Sequence, residues 1–122
     1  MNPSHVNQGL SCKPPAARRA DLARKVRSGQ WVTAPGVFEM ISAKMADRMG
    51  FDALYMTGYG TVASYLGLPD AGLASYTDML NRVAQFASIT ETPLICDGDT
   101  GYGGLLNVMH TVHRCAHHAG TG

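Results

Sequence analysis

Apolar residues in this chain alternate between steps of three and four and short unbroken runs. The first pattern puts side chains on one helix face, and the second suits strands covered on both faces. Residues 16–27 predict a helix with Leu22 and Val26 on one face, approached by Pro14-Pro15 and ended at Ser28-Gly29. Trp31-Val32-Thr33-Ala34 predicts a short strand stopped by Pro35-Gly36. Residues 37–49 predict a second helix with the stripe Val37, Met40, Ile41, Met45 and Met49, ended by Gly50. A strand is expected over residues 52–57, followed by a Gly58-Tyr59-Gly60 loop and a helical turn over 61–66 that Gly67-Leu68-Pro69-Asp70 breaks. Ser75 with Asp78 three residues on is a capping-box pattern, and it opens a helix with Met79, Leu80, Val83 and Ala87 inward. Leu94-Ile95-Cys96 predicts a buried third strand, and a last helix is expected over residues 105–118.

One helix followed by three strand–helix units implies parallel strands joined by helical crossovers, an α/β fold. Three parallel strands leave two raw edges, whereas a closed eight-stranded barrel of this type takes about 250 residues. The expected organisation is a loose N-terminus over 1–14 and a partial barrel over 15–122, the first part of something longer.

Composition narrows the function classes. A net charge of +1 argues against a dedicated nucleic-acid binder. Six of the ten Lys and Arg residues lie between Lys13 and Arg27, a pattern expected of a solvated helix face. Cys12, Cys96 and Cys115 are odd in number and irregularly spaced, which suits a reducing compartment better than a disulfide framework. No apolar run reaches the ~18 residues of a membrane span, and the first residues lack the apolar core of a secretory signal. The expectation is a cytoplasmic protein with no membrane partner.

In parallel α/β proteins chemistry gathers at the carboxyl ends of the strands. Here those ends carry Tyr55, Thr57, Gly58 and Tyr59, and then Asp97-Gly98-Asp99. If the chain stays extended past Cys96, the carboxylates of Asp97 and Asp99 point the same way and call for a cation between them. Hard oxygen donors with room for water suit Mg2+. Asp-Gly-Asp is equally the composition of a turn, so both readings stand. Thr57, Tyr59 and the loop N–H groups could hold a small carboxylate, and Asp70, after a loop proline, could reach the same mouth or serve as a turn residue. Gly58-Tyr59-Gly60-Thr61-Val62-Ala63 also fits G-x-G-x-x-A, with Asp78 near the offset of a ribose contact. That dinucleotide reading needs a helix that starts at the glycines and runs on, and Gly67, Pro69 and Gly72 come too soon. His110, His113 and His117 share a helical face near Cys115, but with His5 and His118 they fit no paired zinc spacing.

Three motifs in order, Tyr55-Met56-Thr57-Gly58-Tyr59-Gly60, Leu66-Gly67-Leu68-Pro69-Asp70-Ala71-Gly72-Leu73 and Asp97-Gly98-Asp99-Thr100-Gly101-Tyr102-Gly103, resemble the isocitrate lyase/phosphoenolpyruvate mutase superfamily. The likeness is to its 2-methylisocitrate lyase and carboxyphosphonoenolpyruvate mutase-like branch, over residues 18–112. The resemblance implies the N-terminal part of a TIM (β/α)8 barrel, a homotetramer at full length, and a Mg2+-dependent enzyme, with Mn2+ as the alternative ion. It implies chemistry on small 2-oxo or 2-hydroxy carboxylic acids through an enolate bound to the metal, as a C–C lyase, a mutase or an oxaloacetate-cleaving enzyme. By match to the motifs, Asp97 and Asp99 hold the metal. Tyr55, Thr57, Gly58, Tyr59 and Asp97 contact substrate, and Asp70 has a supporting catalytic role. The family continues into a strand ending Glu-Asp-Gln and a Lys-Lys-Cys-Gly-His loop that supplies the lyases' acid/base cysteine. Neither motif occurs in these 122 residues, and Cys96 and Cys115 stand in neither. The chain alone is therefore expected to have negligible lyase activity. An inactive remnant, or an interaction module pairing through its sheet edges, is the alternative from another class.

Overall fold

The computed structural model describes residues 14–118. The elements run α1 (Pro15–Arg27), β1 (Gly36–Val37), α2 (Met40–Asp47), β2 (Leu54–Met56), α3 (Gly58–Leu66), α4 (Tyr76–Ile89), β3 (Leu94–Cys96) and α5 (Leu105–His118). The strands form one parallel sheet in the order β1-β2-β3, with Gly36 opposite Tyr55 and Tyr55 opposite Ile95. The core lies between sheet and helices, where Phe86, Leu54, Met56, Val37 and Val83 are fully buried. The architecture is the expected partial barrel: a leading helix, then strand–helix units wound in parallel. Most of the expected loose segment 1–14 lies outside the described residues. No helix among the described residues is long and apolar enough to cross a membrane.

The first strand sits later than expected. Trp31 is 97% exposed, and the strand is Gly36–Val37, beyond the expected stop. The carbonyls of Thr33, Pro35 and Val37 accept from the N–H groups of Ala53, Tyr55 and Thr57. Proline is compatible here because an edge strand needs its missing N–H on no ladder, while its carbonyl still pairs.

The α2 stripe is corrected too. Val37 belongs to β1, and the helix buries Ala43 and Ala46 instead. Ile41, Met45 and Met49 are 64–72% exposed. Small side chains let the helix approach the sheet, and the larger residues one step round the helix turn outward. The N-terminus is capped by Glu39, whose carboxylate accepts from Ile41 N–H and Ser42 N–H. In α4 the capping box between Ser75 and Asp78 forms as expected. Its buried stripe is Met79, Leu80, Val83 and Phe86, while Ala87 is half-buried.

Arg19, Arg24 and Arg27 of the basic cluster are exposed, as expected of a solvated face of α1, and Arg18 and Lys25 depart from it. Arg18 is buried and its guanidinium donates to the carbonyl of Thr90; Lys25 pairs with Asp52; Leu22 is half-buried and Val26 exposed. β3 is an edge strand among the described residues, so Ile95 is exposed where a buried strand was expected.

Three carboxylates tie local structure to pH. Hydrogen bonds from Ser42 and Ile41 hold Glu39 below its ordinary value, Lys25 and Thr33 do so for Asp52, and Ser75 for Asp78. A carboxyl depressed by folding contributes stability above its unfolded pKa, and that contribution is lost as pH falls through the folded value. Thermal melts should therefore be flat above the ordinary values of 4.5 and 3.8 and shift down in temperature as pH falls below them. Melting followed by circular dichroism from pH 6 to pH 2.5 (roughly the span over which native carboxylates titrate) checks this.

Candidate active site

The carboxyl ends of β2 and β3 lie side by side, because Met56 and Cys96 are register partners and Asp97 N–H donates to the Met56 carbonyl. The residues just beyond them therefore meet. Asp97 Oδ2 accepts from the Gly58 N–H at 3.2 Å and from the Tyr55 hydroxyl at 3.3 Å. Asp97 Oδ1 accepts from the Asp99 N–H at 2.9 Å. The Tyr55 phenol is pushed above its ordinary value by burial and by the Asp97 charge, so it stays a donor.

Asp97 and Asp99 do not share a side by extension, as the sequence reading supposed. Asp99 has φ +49°, and the Asp97 side chain closes a turn onto its backbone. Gly101 N–H returns to the Gly98 carbonyl. The segment is thus a turn, and it still brings both carboxylates to one cavity of about 90 Å3, lined also by Asp70, Gly58 and Tyr102. Asp70 reaches this mouth from the segment after α3.

Gly58-Tyr59-Gly60 is not a loop but the first turn of α3, with Thr57 as its N-cap residue. Thr61 N–H makes the first intrahelical bond, to Thr57, which leaves the Tyr59 and Gly60 N–H groups without an intrahelical partner. A Cβ on Gly58 would stand 2.7 Å from Asp97 Oδ2, and one on Gly60 would stand 2.6 Å from the Thr57 hydroxyl oxygen. Both glycines are therefore required by close approach at the site. The Tyr59 side chain is 69% exposed and does not line the carboxylate cavity.

The helix that the dinucleotide reading required does start at the glycines, but it ends at Leu66 with Gly67 in the left-handed conformation. Its N-terminus faces Asp97, and the Asp78 carboxylate is engaged with the Ser75 N–H and hydroxyl. His110, His113 and His117 do not line this cavity: the His110 ring is 5.5 Å from Tyr76, and the His113 and His117 rings are 6.3 Å apart; His5 and the His118 side chain lie outside what the structure describes. Burial pushes the Cys96 thiol up to about 12 and raises that of Cys115, so neither is a ready thiolate.

Among the described residues no three His, Cys, Asp or Glu side chains form a complete metal cage. Mg2+ does not require one. It keeps several waters and takes one or two carboxylates, which is what Asp97 and Asp99 offer beside an open cavity. The donor set fits the ion.

Sequence reasoning did not single out Tyr102 or Thr111. Tyr102 lines the cavity, and Thr111 of α5 donates its hydroxyl to the Gly101 carbonyl at 3.0 Å. An aromatic residue between two loop glycines was a legible signal for the first. Nothing local marked the second.

Parallel strands with carboxylates and a helix N-terminus at their carboxyl ends define a partial (β/α)8 barrel of the phosphoenolpyruvate mutase/isocitrate lyase superfamily, whose members are lyases or mutases. The phosphoenolpyruvate phosphomutase family matches residues 22–122, and the chain belongs to that family. The 2,3-dimethylmalate lyase of Eubacterium barkeri is 44% identical over 95 residues, covering 78% of this chain and 33% of that protein. A crystal structure of 2,3-dimethylmalate lyase is 38% identical with a TM-score of 0.77, over 84% of this chain and 37% of that one. Phosphonopyruvate hydrolase, solved with oxalate and Mg2+, is 31% identical with a TM-score of 0.79, over 84% of this chain and 36% of that one. The chain spans about a third of the length of the curated relatives it matches.

Proposed function

We propose that this chain carries the cation and carboxylate-binding part of a Mg2+-dependent lyase acting on small 2-hydroxy or 2-oxo di- or tricarboxylic acids through an enolate. The observation that carries the reading is the meeting of Asp97 and Asp99 with Asp70 at one cavity beside the α3 N-terminus. Asp97 and Asp99 would hold Mg2+, with Mn2+ able to replace it. Once bound, the ion would supply Lewis-acid polarisation of the substrate's oxygen atoms. The chain's own groups do the rest. Tyr55 and Gly58 orient Asp97 through their hydrogen bonds. The Tyr59 and Gly60 N–H groups and the Thr57 hydroxyl would receive a substrate carboxylate, since a helix N-terminus favours negative charge. The same donors would stabilise charge as it develops on an enolate oxygen. Asp70, across the cavity, would orient substrate or water.

Names among the relatives support a small carboxylic acid but point to several reactions: 2,3-dimethylmalate lyase, isocitrate lyase, oxaloacetate decarboxylase and 2-methylisocitrate lyase. Mutase and oxaloacetate-cleaving chemistry therefore stay beside lyase chemistry within the proposal. The 122-residue chain is expected to bind ion and acid without turning substrate over.

Oxalate, a planar dicarboxylate bound in two of the solved neighbours, is the natural probe. Calorimetry should show Mn2+ binding, and oxalate binding only in its presence. Asp99→Ala should weaken both; no hydrogen bond to the Asp99 carboxylate is present among the described residues, so the fall in its melt should be only the modest strain of alanine at a positive φ. Mn2+ affinity untouched by Asp99→Ala and by Asp97→Asn together would overturn the reading.

A second reading has its own observation. Leu105, Leu106, Met109 and Val112 are exposed apolar residues of α5, and Ile95 is exposed on β3, an edge strand among the described residues. That favours a chain that pairs with further protein, as an interaction module would. A discrete oligomer that binds neither ion nor oxalate would select it.

A further inference from the structure

We propose that Tyr102, braced edge-on by Tyr76, is a positioning residue that holds the Asp97–Gly103 turn so that Asp97, Asp99 and Asp70 face one cavity before any cation arrives. The inference rests on the reading of Asp97 and Asp99 as cation ligands and adds the device that arranges them.

The backbone of this turn is held in conformations that side chains avoid. Among the described residues, Asp99 and Tyr102 are the non-glycine residues with positive φ, at +49° and +62°, and Gly101 and Gly103 flank Tyr102 at +91° and +146°. Such a conformation persists at a tyrosine only where its surroundings over-determine it. Glycine at 102 would relieve the backbone, so something must recommend the ring.

The ring is where the turn meets the rest of the molecule. It packs against the hydrophobic core and lines the carboxylate cavity. The Tyr76 ring meets it at a centroid distance of 5.9 Å and an angle of 65°, the edge-to-face arrangement that aromatic pairs prefer. Tyr76 is the first residue of α4 and lies within the Ser75–Asp78 capping box, whose reciprocal hydrogen bonds fix the helix start. On its other side Tyr76 meets the His110 ring of α5. α5 also grips the turn directly, through the Thr111 hydroxyl on the Gly101 carbonyl. Burial and the neighbouring carboxylates push the Tyr102 phenol up to about 12, so it adds no fourth negative charge to the cavity at neutral pH. The turn is thus clamped between α4, through the Tyr76 ring, and α5, through the Thr111 hydroxyl, and Asp97 and Asp99 are carried with it to face Asp70.

The test uses Tb3+ as a hard, oxygen-seeking probe, with affinity read by calorimetry and proximity by tyrosine-sensitised emission. Tyr102→Phe keeps the ring and should bind Tb3+ within about twofold of the parent, whereas Tyr102→Gly and Tyr76→Leu should weaken it about 10- to 100-fold, the range for partners that orient ligands. Equal binding by Tyr102→Gly and the parent would overturn the proposal. So would a loss in Tyr102→Phe as large as in Tyr102→Gly, because the hydroxyl would then be acting directly. Tyr76→Leu leaves the turn's sequence intact and decides the matter if Tyr102→Gly does not fold. Amide exchange without metal separates this proposal from the one it rests on. If the parent binds no Tb3+, the ligand reading fails, and faster exchange at the Asp99 and Gly101 N–H groups in Tyr76→Leu still supports positioning. Unchanged exchange there overturns it.

Discussion

Replacing Asp97 by alanine should cost the protein its cation site and part of its stability at once, and replacing it by asparagine should separate the two losses. The carboxylate stands at the N-terminus of α3 and accepts three hydrogen bonds, from Gly58 N–H, Tyr55 hydroxyl and Asp99 N–H. Alanine leaves the buried Gly58 N–H without its acceptor, which costs about 1–3 kcal/mol. For a chain of this size that is a fall of several degrees in Tm. Asparagine keeps an acceptor oxygen for the helix and removes the charge. Its melt should stay close to the parent's while Mn2+ affinity falls. In both variants the loss of affinity should exceed the ~10- to 100-fold typical of residues that merely orient a ligand. Parallel melts and Mn2+ titrations of the two variants check this. An asparagine variant with parental Mn2+ affinity would show that Asp97 is only a helix cap.

Phe86→Ala should abolish cooperative folding. Phe86 is the largest of the fully buried side chains and packs from α4 against the sheet residues Val37, Leu54 and Met56. Truncating a buried phenylalanine costs about 3–5 kcal/mol through lost transfer energy and the cavity left behind. Small domains have totals of about 5–15 kcal/mol, and the three-stranded sheet of the described residues, with both its edges open there, belongs at the low end. A broad, non-cooperative thermal transition with dye-accessible apolar surface is the expected result. Met45→Gln is the matched control, since that side chain faces solvent and its loss should stay within about 0.5 kcal/mol. A sharp melt in Phe86→Ala, or a collapse in Met45→Gln, would mean that the core is not where the structure puts it.

The contrast between Phe86 and Met45 shows how the fold was legible. Periodicity announced helices at both places, because 3.6-residue geometry is local. It did not say which face turns inward. In α2 the large residues Ile41, Met45 and Met49 looked like the core stripe, and the sheet instead took Ala43 and Ala46. The choice depends on how closely the helix must approach β1 and β2, which no window of sequence contains. The first strand was displaced for a related reason. Pro35-Gly36 reads as a stop, but pairing with β2 turned those residues into an edge of the sheet.

At the site the split is similar. Asp97, Asp99, Asp70, Tyr55 and the glycines at 58 and 60 were all legible as residues after strand ends or within motifs. Their convergence on one cavity was not, since it depends on the parallel register of β2 and β3 and on the left-handed turn at Asp99. Tyr102 escaped because its partner Tyr76 stands on α4, far off in sequence, and Thr111 because its hydroxyl reaches back from α5 to a loop carbonyl, a contact that no helical period announces.

By itself the sequence determined the elements whose signals are local: the Ser75–Asp78 cap, the span of α5, the parallel strand–helix order and the motifs that mark the superfamily. Capping hydrogen bonds and helical periods involve residues three or four apart, so a short window contains both partners. Only the tertiary structure decided the buried face of α2, the first turn of α3 at Gly58 and the meeting of three carboxylates. Each of these depends on what packs against the element from elsewhere in the chain, and burial and convergence are properties of that packing.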